Sequence, residues 1–166
     1  MRVLGIDPSL NSTGYGIIEY SQNHYAVIAH GVIKPQPKAS LSQKLHQIKT
    51  QVEELIQTYE PGEVAIENLF YAQNVKTAII LGQVRGAALV AVAGKGRQLF
   101  EYSALEIKKA VTGYGQADKQ QVQDMIRILL NLTDDRLETD ASDALATALC
   151  HMNSRMFQQN IGLTEE

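Results

Sequence analysis

The sequence predicts an α/β fold on one five-stranded mixed sheet, three antiparallel strands followed by parallel ones, flanked by helices. Three observations lead there. The first part of the chain holds three apolar, strand-like runs separated by short polar spacers. The remainder alternates brief apolar runs with longer segments whose apolar residues recur at three and four. No internal repeat or low-complexity tract divides the two parts, and 166 residues suit one domain with a real core. A meander followed by alternating strands and helices closes into a mixed sheet with helices on its faces. Residues 1–153 are expected to form that single domain, with 154–166 a polar, flexible tail.

The elements follow in order. Residues 2–7 form a buried strand that ends on Val3-Leu4-Gly5-Ile6-Asp7. Thr13–Tyr20 and His24–Lys34 are two more strands, and the polar spacer Ser21-Gln22-Asn23 makes them an antiparallel hairpin. Pro35 and Pro37 end the meander, because proline cannot continue a ladder. Ser40 or Ser42 caps a helix running to about Tyr59, with Leu41, Leu45, Ile48, Val52, Leu55 and Ile56 on its apolar face. Pro61-Gly62 breaks the chain before the short strand Glu63–Glu67. Asn74 caps a helix to about Gly94 that is apolar nearly all round and so is expected to be buried on several sides. Gly82 and Gly86 on it admit another backbone, and a leftover face is available to a second subunit. Gln98–Tyr102 is a strand, and Ser103 caps the helix Ala104–Val111. Asp118–Leu130 is helical, and Thr139 caps a last helix from Asp140 to about Met152.

Composition narrows the function. The single cysteine, Cys150, lies in an apolar run and rules out an intrachain disulfide framework, which fits a reducing, cytoplasmic compartment. No charged-then-apolar leader opens the chain. The longest apolar stretch, Thr77 to Ala93, is interrupted by Gln83 and Arg85 and reads as too broken to span a membrane. Net charge is −3, but its distribution matters more. Residues 76–119 hold seven basic side chains against three acids, whereas 134–143 hold five acids against Arg136. A basic zone beside an acidic one suits a protein that brings metal ions to a nucleic-acid backbone.

Four acids carry the chemistry. Asp7 and Glu67 each close an apolar strand, while Asp140 and Asp143 stand three apart at the start of the last helix and share a face. The Ala144-Leu145-Ala146 run sinks that helix into the core. Clustered carboxylates in a core need cationic partners, because lone buried charge is very costly. An all-oxygen set selects hard ions, magnesium or manganese. Two such ions roughly 3.5–4 Å apart suit phosphodiester hydrolysis, one activating water and one stabilising the leaving oxygen. Lys108 and Lys119 are candidates to neutralise phosphate or assist proton transfer, and Phe70 to stack on an unpaired base. Gly14 and Gly16, after the Pro8–Thr13 turn, let backbone approach a ligand closely. The four histidines have no zinc-site spacing, and His151 reads as structural. No Walker A or dinucleotide fingerprint is present.

Several motifs together resemble the RuvC crossover junction endodeoxyribonucleases. They are Gly5-Ile6-Asp7-Pro8, Thr13-Gly14-Tyr15-Gly16, Ile66-Glu67, Leu81-Gly82-Gln83-Val84-Arg85-Gly86, Val111-Thr112-Gly113-Tyr114-Gly115-Gln116-Ala117-Asp118-Lys119 and Asp140-Ala141-Ser142-Asp143-Ala144-Leu145-Ala146. The resemblance runs through nearly the whole chain in the family's order. It implies a ribonuclease H-like fold and a Holliday junction resolvase: a homodimer that binds four-way DNA junctions, nicks two opposing strands symmetrically and leaves ligatable 5′-phosphate ends. It implies a need for Mg2+, with Mn2+ able to substitute, and work beside the RuvA–RuvB branch-migration complex. By motif match, Asp7, Glu67, Asp140 and Asp143 are the catalytic metal ligands. Lys119 supports catalysis and DNA contact, Arg85 and Lys108 contact DNA, and Phe70 stacks near the junction. Ser9 stands where the family usually has glycine, which bears on the tightness of that turn.

Two other readings use the same residues. Actin-like sugar kinases and ATPases also open with Gly-x-Asp and a Thr-Gly turn, but their cleft needs a second lobe that this length does not supply. An inert DNA- or protein-binding module has no use for four carboxylates.

Overall fold

The computed structural model describes residues 1–68, 74–133 and 137–160. All ten expected elements are present in the expected order: β1 (Arg2–Asp7), β2 (Thr13–Ser21), β3 (His24–Ile33), α1 (Leu41–Tyr59), β4 (Glu63–Asn68), α2 (Val75–Gly94), β5 (Gln98–Ser103), α3 (Ala104–Thr112), α4 (Lys119–Leu129) and α5 (Thr139–Asn160). They build one sheet in the order β3-β2-β1-β4-β5. β1 pairs antiparallel with β2 and parallel with β4, which pairs parallel with β5. The β2–β3 hairpin turns on Gln22 and Asn23, both at positive φ (51° and 58°), the two-residue geometry that follows strand twist.

Local chemistry fixes the helix ends. Ser40, Ser103 and Asp118 each close a capping box with the residue three positions on, and Asn74 caps α2 through the Thr77 N–H. α5 starts one residue earlier than expected: Thr139 is already helical, and the Ser142 N–H bonds the Glu138 carbonyl. Its other end corrects the expectation of a tail from residue 154. The helix continues to Asn160, because Arg155 and Asn153 find partners on the sheet side that the polar sequence does not advertise.

The sheet separates two apolar clusters. Ile48, Val52 and Ile56 of α1 and Val84, Ala88, Ala91 and Val92 of α2 cover one face with Leu4, Ile6, Ile17, Val64 and Ile66. The other face carries Val3, Ile18 and Ala65 beneath α3, α4 and α5. Strand alternation therefore sends Val3, Gly5 and Asp7 of β1, and Glu63, Ala65 and Glu67 of β4, toward α5.

α2 departs from the expectation in two ways. It is not buried on several sides: Val75, Ile79 and Val90 are exposed at 76%, 57% and 59%. It is also long and apolar enough to cross a membrane, despite Gln83 and Arg85. In the fold it lies as a layer on the sheet, with Val84, Ala88, Ala91 and Val92 in the core.

Candidate metal centre

Register brings the first two acids together. Ile6 and Ile66 are partners across the parallel β1–β4 pair, so Asp7 and Glu67 follow side by side at the carboxyl ends of neighbouring strands, where open α/β sheets place their ligands. Both point to the α5 face.

Three glycines let α5 reach them. A Cβ on Gly14 would stand 1.9 Å from the Asp140 carbonyl oxygen, and one on Gly5 2.0 Å from that of Ala144. At Gly16 it would meet Leu145 at 2.6 Å. Gly14 and Gly16 thus admit a helix rather than the ligand that the sequence suggested. The first turn of α5 drops onto the ends of β1 and β2, and carboxylate oxygens of Asp7, Asp140 and Asp143 fall within 4.8 Å of one another. Glu67 stands outside that threesome. It lines a cavity of about 270 Å³ with Asp143, Lys108 and Lys119, floored by Ile107, Val122 and Ala146.

The electrostatics match a cation site. Burial, then the charges of Asp143, Glu67 and Asp140, push the Asp7 carboxyl up to about 7. Burial and Asp143 push Glu67 upward as well, against the pull of Lys119 and Lys108. The Lys119 ammonium lies 2.9 Å from Asp143 Oδ2, and that hydrogen bond, followed by the charges of the cluster, raises its own pKa. Two lysines do not offset four carboxylates. A donor set made wholly of carboxylate oxygen, with one carboxyl pushed up by burial and then by its neighbours, fits hard divalent cations.

Two braces were not read from sequence. The Ser12 hydroxyl donates to Asp140 Oδ2 and orients it. Within the same turn the Thr13 hydroxyl donates to the Ser9 carbonyl and accepts from the Ser9 N–H. Ser9 is not at positive φ, so serine sits in this turn without backbone strain. The only signal for Ser12 was its place just before a strand that carries a Gly-x-Gly.

The remaining candidates divide. Lys108 and Lys119 line the cavity beside Glu67 and Asp143. Arg85 is ion-paired with Glu101 of β5 and is largely covered. Phe70 lies outside the described residues. His151 is fully buried between Tyr102 and Glu63, in line with its structural reading. Burial holds the Cys150 thiol up at about 12, so it is an inert core residue.

Comparisons with known proteins bear on this geometry. A RuvC of Magnetococcus marinus is 47% identical over 159 residues, which is 96% of this chain and 88% of that protein. One from Caldanaerobacter subterraneus is 43% identical and covered to 98% on both sides. Among solved structures, Thermus thermophilus RuvC in complex with a Holliday junction substrate superposes with a TM-score of 0.89 at 29% identity, covering 95% of this chain and 96% of that one. The yeast mitochondrial resolvase Ydc2 shares the fold, with a TM-score of 0.71 at 12% identity. The family model described as crossover junction endodeoxyribonuclease RuvC matches residues 3–151, so its span includes all four acids. The chain belongs to the RuvC family.

Proposed function

We propose that this protein is an endodeoxyribonuclease that resolves Holliday junctions, cutting the phosphodiester backbone at the Asp7–Glu67–Asp140–Asp143 cluster with Mg2+ or Mn2+ bound there. The meeting of Asp7, Asp140 and Asp143 within 4.8 Å, from strands and a helix far apart in sequence, carries the reading. Kinship with a RuvC solved on a Holliday junction supplies the substrate. Divalent cations, when bound, supply Lewis acidity at the scissile phosphate and a more acidic water; two per site is the number this chemistry favours.

The chain's own groups do the rest. Asp7 must shed the proton that burial and its neighbours favour before it can serve as a ligand. Ser12 keeps one Asp140 oxygen oriented while the other remains available. Lys119, paired with Asp143 in the free protein, is placed to turn toward phosphate oxygen when cations take over that carboxylate. Lys108 lines the far wall of the cavity and adds positive charge on the path of the strand. Phe70 stacking on a base and Arg85 meeting the backbone belong to the same proposal, as do a homodimer, cytoplasmic work beside a RuvA–RuvB complex, and symmetric nicks with 5′-phosphate ends.

A synthetic four-way junction tests it. Mg2+ is expected to give paired nicks in opposing strands, and chelation to stop cutting while leaving junction binding. Binding with no cutting in either Mg2+ or Mn2+ would mark the protein as an inert junction binder.

A further inference from the structure

A second polar cluster, built around the buried His151, lies at the other end of the same two elements. Glu63 opens β4, and Glu67 stands one residue before its end at Asn68. His151 and Arg155 lie on α5 beyond Asp140 and Asp143. His151 Nε2 is 2.8 Å from Glu63 Oε2, and Nδ1 is 2.7 Å from the Tyr102 hydroxyl. Arg155 Nε donates to both Glu63 oxygens at 3.1 Å. The Phe100 ring stacks on the imidazole at 4.4 Å between centroids and carries the Arg155 guanidinium on its face.

The protonation pattern follows from the partners. Glu63 is drawn up by burial but held below the ordinary glutamate value by hydrogen bonds from Arg155 and His151, so it accepts. Nε2 of His151 therefore donates, and burial lowers the ring's pKa against the opposing pull of Glu63. Nδ1 is left to accept from the Tyr102 O–H. Each ring nitrogen is used once, in a directional, partly buried network.

We propose that Glu63, Tyr102, His151 and Arg155 form a latch that fixes α5 along β4 and thereby positions Asp140 and Asp143 against Glu67. The inference rests on the metal-site reading above. From Glu63 to Glu67 is four strand residues, about 13 Å. From Asp143 to His151 is eight helical residues, about 12 Å. The latch and the carboxylates are thus two rungs at matching separations on the same pair of rails. Between the rungs the contact is Gly5 against Ala144 and Ala148, with Ala65 in the same cluster. Small apolar surfaces of this kind are non-directional and resist sliding weakly. Directional bonds therefore set the axial register of α5 at its two ends, Ser12 on Asp140 at the first turn and the latch on β4 at the far one. At the catalytic end, repulsion among the carboxylates works to push the helix away.

Mn2+ titration of the purified protein, with free ion read by electron paramagnetic resonance, tests the latch, with junction cutting and metal-free junction binding measured in parallel. Tyr102→Phe removes only the hydroxyl on Nδ1, and Glu63→Gln keeps shape while removing charge. Both are expected to weaken Mn2+ binding and lower kcat roughly tenfold, with metal-free junction affinity unchanged. Ile48→Val, in the core on the opposite face, is the destabilised control and is expected to lower Tm without touching Mn2+ affinity. Wild-type Mn2+ affinity in Tyr102→Phe, or an equal loss in Ile48→Val, would overturn the proposal. If Glu63→Gln fails to fold, Tyr102→Phe alone decides. A wild-type protein that binds Mn2+ but cuts no junction refutes the proposed function, and the Mn2+ comparison still judges the latch.

Discussion

At the scale of a residue, Asp7 shows how the fold is held in a state that favours cations. Its carboxyl is raised from 3.8 to about 7, first by burial and then by Asp143, Glu67 and Asp140. Across that window the folded protein keeps a proton that the unfolded chain has released. The metal-free fold is therefore most favoured below the lower value and loses stability as pH rises toward the upper one. Asp7→Asn removes this liability. In chelator, its unfolding free energy is expected to equal the wild type's near pH 4 and exceed it increasingly up to about pH 7, then by a constant margin, on the order of 2–4 kcal/mol. Adding Mg2+ should erase the advantage, because only the wild type gains a full ligand set. Junction cutting by Asp7→Asn should fall at least about a hundredfold, since even outer partners of a metal ligand cost 10- to 100-fold. A margin that does not vary with pH would show that Asp7 is not the titrating group.

At the scale of an element, the glycines separate what the sequence could tell from what it could not. Element order, the caps at Ser40, Asn74 and Ser103, and the four candidate acids could be named from sequence, because they depend on local period, local hydrogen bonds and residue type, whereas Asp118, read as helical, is the N-cap of α4. The purpose of each glycine was not. Gly14 and Gly16 sit in strand β2 like glycines left free for a ligand, yet their missing Cβ atoms are filled by α5. Gly82 and Gly86 look alike in sequence, yet a Cβ on either meets nothing within 4 Å. Long-range packing decides this, and one chain's periodicity does not report it. The same holds for Ser12, for the Glu63–His151 bond and for the length of α5, each fixed by a partner more than eighty residues away. Gly14→Ala follows from the geometry. The new methyl meets backbone, which cannot swing aside, so α5 must lift at the turn that carries Asp140. A stability loss of about 1–3 kcal/mol or more is expected, measured by denaturant melts, with Mn2+ affinity falling alongside. Unchanged Mn2+ affinity would mean that the helix start adapts without moving its carboxylates.

At the scale of the whole molecule, the two faces of the sheet have different work. One face carries α5 and the site. The other ends in α2, whose buried residues Val84, Ala88, Ala91 and Val92 face the core while Val75, Ile79 and Val90 face outward beside the open Gly82 and Gly86. Large exposed aliphatic side chains along one helix make an unusual surface for a lone protomer. A two-fold dimer through α2 would cover them and place two copies of the acid cluster to address two opposing strands of one junction. Gly86→Leu isolates that idea. Within a protomer the leucine has room, so folding, Tm at low concentration and Mn2+ affinity are expected to stay near wild type. Across a close helix–helix contact the same leucine holds the backbones apart. Sedimentation is expected to show dissociation at concentrations where the wild type is dimeric, weakened by about tenfold or more, since one badly seated side chain costs about 1–3 kcal/mol. Junction cutting should then lose its pairing, with single nicks accumulating before the second strand is cut. A Gly86→Leu protein that sediments as an undisturbed dimer and nicks both strands together would place the interface elsewhere.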